Sequence, residues 1–315
     1  MKTQCVWNRN GQHEASDETL HENTYSIADK WRMRNGQCEN EFWRGVLGMF
    51  NAKNATVQLS NGEMDYIRFG TGKKILMILP GLGDGLRTVK GTALPMAAMY
   101  RMFAKDFTVY AFSRRNDLPR DYSTRDMARD QAEAMEKLGI HKADILGVSM
   151  GGMIAQYLAI DCPEKIGKLI LTVTSARPNG ILEESLAEWI RLAENNDPAG
   201  FMDSNLRRIY SEGYYRRNKW MAPIVGKLTK PKSYDRFFIQ ARACIQHDAF
   251  DSLKTIRVPT LVVGGERDLC LGPEASREIA AQISGSKLRM YEQWGHGLYE
   301  EAPDFNDLVL EFLKE

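Results

Sequence analysis

The sequence has few cysteines, and their spacing does not indicate a disulfide framework or a zinc site. Its five cysteines are Cys5, Cys38, Cys162, Cys244 and Cys270, and no two of them stand in Cys-x-x-Cys spacing. A scattered, odd-numbered set is typical of a reducing compartment, where thiols stay unpaired. We therefore expect a cytoplasmic protein that holds no metal.

Long apolar runs and a net charge are also absent. No run of about 18 apolar residues occurs, and the opening MKTQCVWNRNGQHE lacks the apolar core of a signal peptide. The 42 basic residues balance 41 acidic ones, which leaves a net charge of +1. Neither a membrane nor a nucleic acid is therefore an expected partner. A monomer and a homodimer are both compatible with the sequence.

The chain divides into three predicted parts. Residues 1–53 are polar and irregular, and we interpret them as an N-terminal extension that has a helix between 27 and 50. Residues 54–177 and 251–315 alternate between strand and helix patterns, which is typical of an α/β core. Residues 178–250 interrupt that alternation and are predicted to be a helical cap.

The strand patterns are mostly continuous aliphatic runs. Such runs are typical of parallel strands that helices cover on both faces. An earlier segment alternates around Asn61-Gly62, a dipeptide that favours a tight hairpin. The predicted core strands are KILMILPG (74–81), FTVYAF (107–112), ADILGV (143–148), KLILTV (168–173), TLVVGG (260–265) and SKLRMYE (286–292).

The predicted cap lies between the strand that ends near Val173 and the strand that begins at Thr260. A plain crossover needs far fewer residues, so this segment is an insertion. Its pattern predicts four helices, at 182–194, 200–211, 213–226 and 232–247.

The strongest chemical signal is Gly147-Val148-Ser149-Met150-Gly151, which matches G-x-S-x-G. A buried strand precedes it and a helix begins at Met150, so Ser149 should lie on a strained turn that only small neighbours allow. We interpret Ser149 as a nucleophile. The alternative is a packing turn that contains an incidental serine.

A serine nucleophile needs a base and an orienting carboxylate. His296 follows the last predicted strand between two glycines, and Asp268 follows the strand TLVVGG at the edge where Ser149 should lie. His247 is the alternative base and Glu266 the alternative acid. His296 could also be a surface-loop residue and Asp268 a structural acid.

Two backbone amides are predicted to stabilise the oxyanion. Met150 follows the nucleophile directly, and Leu82 lies in the glycine-rich loop after KILMIL, with Gly83 as the next choice. That loop matches neither GxxxxGK[ST] nor GxGxxG, so it is not predicted to bind a nucleotide. No cofactor is expected.

Five motifs in this order resemble the α/β-hydrolase superfamily, in particular its cap-bearing esterases and lactonases. They are LPGLGDG (79–85), YSTRDMARD (122–130), LGVSMGGMIAQ (146–156), VPTLVVGGERD (258–268) and GHGLYEEAPDFNDLVLEFL (295–313). The resemblance covers about residues 55–315. It implies the α/β-hydrolase fold, with a mostly parallel eight-stranded sheet, helices on both faces and a helical cap after the sixth strand. It also implies the triad of Ser149, Asp268 and His296.

Two loops depart from the family pattern. Pro80-Gly81 stands where His-Gly is common, but the Leu82 amide does not depend on that exchange. Ser113-Arg114-Arg115-Asn116-Asp117 replaces the usual Asp-x-Arg-Gly-x-Gly. Because this second loop borders the site, the family does not guide the prediction of the acyl pocket.

The substrate pocket is predicted from the cap aromatics and the loops near Ser149. The predicted pocket residues are Gly81, Arg114, Trp189, Tyr214 and Trp220. The segment from Arg207 to Lys232 has eight basic residues against the single Glu212. This excess indicates either a solvated face or a preference for anionic acyl groups, with help from Arg114 or Arg115.

The sequence predicts a serine hydrolase that cleaves a small-molecule ester or lactone through an acyl-enzyme. Carbon–carbon bond hydrolysis and acyl transfer would use the same residues and stay open as alternatives. A ligand-binding receptor that keeps the triad but turns over slowly is the alternative from another class.

Overall fold

A single eight-stranded sheet organises the chain in the computed structural model, which describes residues 50–315. Its spatial order is β1-β2-β4-β3-β5-β6-β7-β8. The β1–β2 and β2–β4 pairs are antiparallel, and every other pair is parallel. The strands are β1 Lys53–Leu59, β2 Gly62–Phe69, β3 Lys74–Leu79, β4 Phe107–Arg115, β5 Ala143–Val148, β6 Ile166–Thr172, β7 Thr260–Gly265 and β8 Lys287–Tyr291.

The strand predictions are confirmed. All six predicted core strands are present, with ends that differ by three residues at most. The hairpin around Asn61 is also present, as β1 and β2. The predicted N-terminal extension, with its helix between 27 and 50, lies outside the described residues except for residues 50–53.

Both faces of the sheet are covered, because neighbouring residues of a strand point to opposite sides. In β3, Met77 and Leu79 belong to one buried cluster, and Leu76 and Ile78 belong to the other. This placement explains the continuous aliphatic runs in the sequence, since both faces of each strand need apolar side chains.

The described helices lie on both faces of the sheet and in one insertion. Among residues 50–315, no helix is long and apolar enough to cross a membrane. The helices are α1 Ala93–Met99, α2 Thr124–Lys137, α3 Met150–Asp161, α4 Gly180–Glu194, α5 Pro198–Ile209, α6 Glu212–Asn218, α7 Ala222–Thr229, α8 Asp235–Ile245, α9 Pro273–Gln282, α10 Leu298–Glu301 and α11 Phe305–Lys314.

The inserted segment differs from its prediction at one point. Helices α4 to α8 lie between β6 and β7, as the pattern predicts, but the single helix predicted at 213–226 is two helices, α6 and α7. Pro223 lies in the first turn of α7. Proline lacks the amide that a continuous helix needs and suits a helix start, so it separates the two.

Arg236 of α8 joins the inserted helices to the core. Its guanidinium donates to the carboxylate of Asp84 at 2.6 Å and to the backbone oxygens of Arg114 and Arg115 at 3.0 and 2.6 Å. Gln240 donates to the same Asp84 carboxylate at 3.0 Å. Asp84 lies in the short 3₁₀ turn Leu82–Gly85 that follows β3, so this network fixes that turn against the inserted helices.

The Asp84 carboxylate is completely shielded from solvent. A buried charge whose partner is removed loses the interaction that compensated for its desolvation. We therefore expect Arg236→Met to lower the free energy of unfolding by about 3–5 kcal/mol. Urea unfolding followed by far-UV circular dichroism measures this change.

Arg216→Met is the matched control for this prediction. Arg216 pairs with Glu212 at 2.5 Å, but both side chains are largely exposed. Exposed pairs contribute little because water screens them, so no resolvable change is expected. Equal losses of stability in the two variants would contradict the role of Arg236 in joining the inserted helices to the core.

Candidate active site

Ser149 occupies a strained turn between β5 and α3. Its backbone angles are φ 54° and ψ −122°, in a region that a residue with a Cβ rarely adopts. The amide of Ser149 donates to the Thr172 carbonyl of the neighbouring strand β6 at 2.9 Å. The Thr174 hydroxyl donates to the Ser149 carbonyl at 2.7 Å. The strain is thus supported by hydrogen bonds on both sides of the residue.

Glycine is required around this turn by the closeness of other backbone atoms. A Cβ at Gly151 would lie 1.9 Å from the Leu79 carbonyl oxygen, and a Cβ at Gly147 would lie 2.7 Å from the Gly152 Cα. Both distances are too short for any side chain. The glycines predicted from the G-x-S-x-G pattern therefore let β5 and α3 meet at Ser149.

The structure brings together the three side chains that the sequence singled out. His296 Nε2 lies 3.0 Å from Ser149 Oγ, and His296 Nδ1 lies 2.9 Å from Asp268 Oδ2. Ser149 follows β5, Asp268 follows β7 and His296 follows β8, so all three residues lie at the carboxyl ends of parallel strands. His296 and Asp268 are both only 5% exposed, which shields their hydrogen bond from water.

Asp268 is held in place by two backbone amides. Its Oδ1 accepts from Cys270 N at 2.8 Å and from Leu271 N at 3.0 Å, which leaves Oδ2 for the imidazole. An ionised carboxylate only accepts, so Nδ1 is the protonated ring nitrogen and Nε2 can accept from Ser149. This geometry favours the imidazole tautomer with its proton on Nδ1, which leaves Nε2 free to act as a general base.

Two helix starts lie beside Ser149. Met150 is the first residue of α3, and Leu82 is the first residue of the 3₁₀ turn. The first amides of a helix have no acceptor within that helix, so they are available to a ligand. Gly81 lies close to the nucleophile, because a Cβ there would be 3.2 Å from Ser149 Cβ.

A cavity of about 360 Å³ opens onto these groups. Its wall is mostly apolar and comes from the core and from α4, α5 and α8 of the insertion. Residues of the wall that bear on its chemistry are Gly81, Leu82, Ser149, Met150, Trp189 and His296. A concave apolar site with a few converging polar groups suits a small organic ligand.

Three predicted pocket residues lie outside the cavity wall. Arg114 is 1% exposed beneath the site, where its Nη2 donates to the Pro80 carbonyl at 2.6 Å. Tyr214 stacks on Tyr210 at 4.3 Å between ring centroids, and Trp220 is 61% exposed in the 3₁₀ turn between α6 and α7. These positions correct the pocket prediction, which placed all three beside the substrate.

The eight basic residues from Arg207 to Lys232 also lie outside the cavity wall. Arg207 and Arg208 pair with Glu188, and Arg216 pairs with Glu212. The basic segment therefore matches the solvated-face interpretation. It does not supply an anion site in this cavity.

Sequence reasoning missed Glu300, which lines the cavity on the short helix α10. Burial raises its pKa, although hydrogen bonds from Tyr210 and Tyr299 oppose that shift. Its signal in the sequence was weak, because Glu300 and Glu301 are adjacent and only the fold shows which of them points into the cavity.

His247, the alternative base, is remote from Ser149 in its contacts. Its Nδ1 lies 2.9 Å from Thr124 Oγ1 and its Nε2 lies 3.3 Å from Gln156 Oε1. It is 1% exposed, and burial lowers its pKa to about 3. His247 therefore packs as a neutral residue between α2, α3 and the end of the insertion.

Among the described residues, Asp268, Cys270 and His296 are close enough together to offer a metal ion three ligand atoms. Asp268 and His296 already hydrogen-bond to each other with two of those atoms. Burial and the nearby Asp268 raise the pKa of Cys270 well above its ordinary value, so its thiol stays protonated and is a poor nucleophile or ligand.

A family model described as the alpha/beta hydrolase fold matches residues 74–303. The chain belongs to the α/β-hydrolase family. The predicted fold class, a mostly parallel eight-stranded sheet with helices on both faces, is thereby confirmed.

Curated relatives of this α/β hydrolase have hydrolase names. It is 24% identical over 264 residues to the RutD protein of Azorhizobium caulinodans, named as a carbamate hydrolase, with 81% of this chain and 96% of the relative covered. It is 27% identical over 259 residues to the 2-hydroxy-6-oxononadienedioate/2-hydroxy-6-oxononatrienedioate hydrolase of Klebsiella pneumoniae, with 78% and 88% covered. With the family match, these relatives indicate that the α/β hydrolase is an enzyme.

Solved structures agree on the fold. The α/β hydrolase MGS-M2 from a Medee basin deep-sea metagenome aligns with a TM-score of 0.75 at 21% identity, covering 83% of this chain and 98% of that one. The enol-lactonase of Burkholderia xenovorans aligns with a TM-score of 0.70 at 22% identity, covering 83% and 100%.

The low pKa of His247 predicts a pH-dependent stability. An unfolded histidine binds a proton below about pH 6.5, whereas folded His247 does so only below about 3. Between these values the unfolded state binds more protons, so lowering the pH destabilises the α/β hydrolase. One such group contributes about 1.4 kcal/mol per pH unit.

We expect His247→Gln to make the free energy of unfolding less dependent on pH between pH 4 and 6. The reduction should correspond to at most one proton taken up on unfolding. Urea unfolding at several pH values measures it, and His141→Gln, at an exposed position, is the control. An unchanged slope in His247→Gln would show that other groups cause the acid sensitivity.

Proposed function

We propose that this hydrolase cleaves a carboxylic ester or lactone of a small molecule through an acyl-enzyme on Ser149. The observation that carries the proposal is the hydrogen-bond chain from Ser149 through His296 to Asp268, at the wall of an apolar cavity. A serine hydroxyl becomes a useful nucleophile when such a base takes its proton.

In the first step, Ser149 Oγ bonds to the substrate carbonyl carbon while its proton moves to His296 Nε2. The positive charge on the imidazolium is stabilised by Asp268, whose other oxygen is fixed by two amides. The leaving alkoxide then takes the proton from Nε2, and the acyl group stays on Ser149. Water repeats the sequence and releases the acid, which restores the serine.

The oxyanion formed in each step needs donors that are already in place. We assign this role to the amides of Met150 and Leu82. Pro80 precedes this loop, and its carbonyl is held by Arg114 at 2.6 Å. Arg114, predicted as a substrate contact, is thus proposed to position the oxyanion loop.

We also propose that residues 178–250 act as the cap, on a core of residues 54–177 and 251–315. Trp189 of α4 and Phe201 of α5 line the cavity, while Arg236 ties the insertion to the oxyanion loop. The cap would therefore set substrate shape without supplying the reacting groups.

A carbamate is the second candidate substrate class. Its support is the RutD relative named as a carbamate hydrolase, which this chain spans almost completely. A carbamate carbonyl would be attacked by the same serine, so the proposed mechanism is unchanged. Carbon–carbon bond hydrolysis and acyl transfer would also use these residues, and the products formed distinguish them.

Labelling with a fluorophosphonate probe tests the nucleophile. We expect one equivalent of label on Ser149 in the folded protein, located by peptide mapping. In Ser149→Ala the label should disappear, and turnover of p-nitrophenyl acetate should fall by at least about a thousandfold.

Ser233→Ala, at an exposed serine of the cap, is the control and should keep both properties. Sustained turnover in Ser149→Ala, or labelling at another serine, would contradict the proposed mechanism. Single turnover without release would instead support the slow ligand-binding receptor.

A further inference from the structure

Glu300 is a carboxylate without a positive partner at the wall of the cavity. Among residues 50–315, no lysine or arginine lies within ion-pair distance of it. Glu300 is exposed to solvent, and it lines the same cavity as Ser149 and His296. An acid with no positive partner at a mostly apolar wall is available to a cationic group of a ligand.

One tyrosine orients this carboxylate. The Tyr210 hydroxyl, at the end of α5, donates to Glu300 Oε2 at 2.8 Å. A carboxylate can accept about four hydrogen bonds, so capacity remains for a donor from the cavity. The arrangement orients the acid without neutralising it.

Aromatic rings accompany the acid at the cavity wall. Tyr299 and Tyr100 both line the cavity. The faces of aromatic rings attract cations, and a cage of such rings suits an alkylammonium group. Carboxylate and rings together favour a positively charged nitrogen over a neutral or negative group.

The other charged groups of the wall do not offer this recognition. Asp84 is already paired with Arg236. Arg87, which is exposed as Glu300 is, carries a positive charge and forms no ion pair with Glu300. Glu301, next to Glu300, accepts from the amide and hydroxyl of Ser211 and does not line the cavity. Glu300 is therefore the unpaired acid of this site within the described chain.

We propose that Glu300, with Tyr100 and Tyr299, is a subsite for an organic ammonium group, so that the preferred substrate is an ester or lactone that carries a positively charged nitrogen. This inference rests on the proposed function, because it assumes that the bond cleaved lies at Ser149. It replaces the anionic acyl preference that the basic cap segment suggested.

Matched ester pairs test the subsite. The first pair is acetylcholine and 3,3-dimethylbutyl acetate, which differ only in a charged nitrogen or neutral carbon on the alcohol side. The second pair is ethyl trimethylammonioacetate and ethyl 3,3-dimethylbutanoate, which differ in the same way on the acyl side. The readout is the ratio of kcat/KM for the charged ester to kcat/KM for the neutral ester.

We expect Glu300→Gln to lower that ratio by about tenfold or more for at least one pair. Because both variants are measured on the same esters, differences in the intrinsic reactivity of those esters cancel. Glu301→Gln removes a neighbouring charge from the same helix and should leave both ratios unchanged. Unchanged ratios in Glu300→Gln, or equal losses for charged and neutral esters, would overturn the subsite.

Failure of the subsite can be separated from failure of the proposed function. If the fluorophosphonate labels Ser149 and p-nitrophenyl acetate turns over, but the kcat/KM ratios are the same in Glu300→Gln as in the unchanged protein, only the subsite proposal is wrong. If no ester turns over, binding of phenyltrimethylammonium to the Ser149→Ala protein by calorimetry still tests the subsite. Its affinity should exceed that for neutral tert-butylbenzene and should fall about tenfold or more when Glu300→Gln is added.

Discussion

The site depends on one backbone constraint, the passage from β5 into α3 within the single residue Ser149. At this point α3 touches the end of β3, since a Cβ at Gly151 would reach the Leu79 carbonyl at 1.9 Å. The same contact brings the loop after β3, with Gly81 and Leu82, beside the serine. A larger residue in the turn would thus separate the candidate nucleophile from the amides proposed to hold the oxyanion.

The inserted helices connect to that loop through buried charge. Arg236 binds Asp84 and three backbone carbonyls of the β4 end, while Arg114 holds Pro80 from below. Two arginines therefore fix the loop that follows β3, one from the insertion and one from the sheet. A site whose amides must be in place before charge develops benefits from this rigidity.

The strand-end residues were predictable because their positions follow from local pattern. Asp268 and His296 each lie in the loop that follows a strand of a parallel sheet, and such loops meet at one edge. Arg114 also stands at a strand end, but β4 continues to Arg115, so its side chain lies beneath the loop and away from the cavity. The aliphatic run predicted that β4 ends three residues before its actual end. This extra length is why Arg114 lies within the strand and away from the cavity, whereas Asp268 and His296 lie in loops at the site.

The sequence by itself determined the alternation of strands and helices, the strained serine turn and the order of the three candidate catalytic residues. These features are encoded by residues that are close in the chain, through side-chain size, periodicity and glycine. Only the tertiary structure decided which aromatics of the insertion face the cavity and that Glu300, not Glu301, lines it. The second outcome depends on Tyr210 and Ser211, just after α5, which hydrogen-bond to Glu300 and Glu301 through long-range contacts that no local pattern specifies.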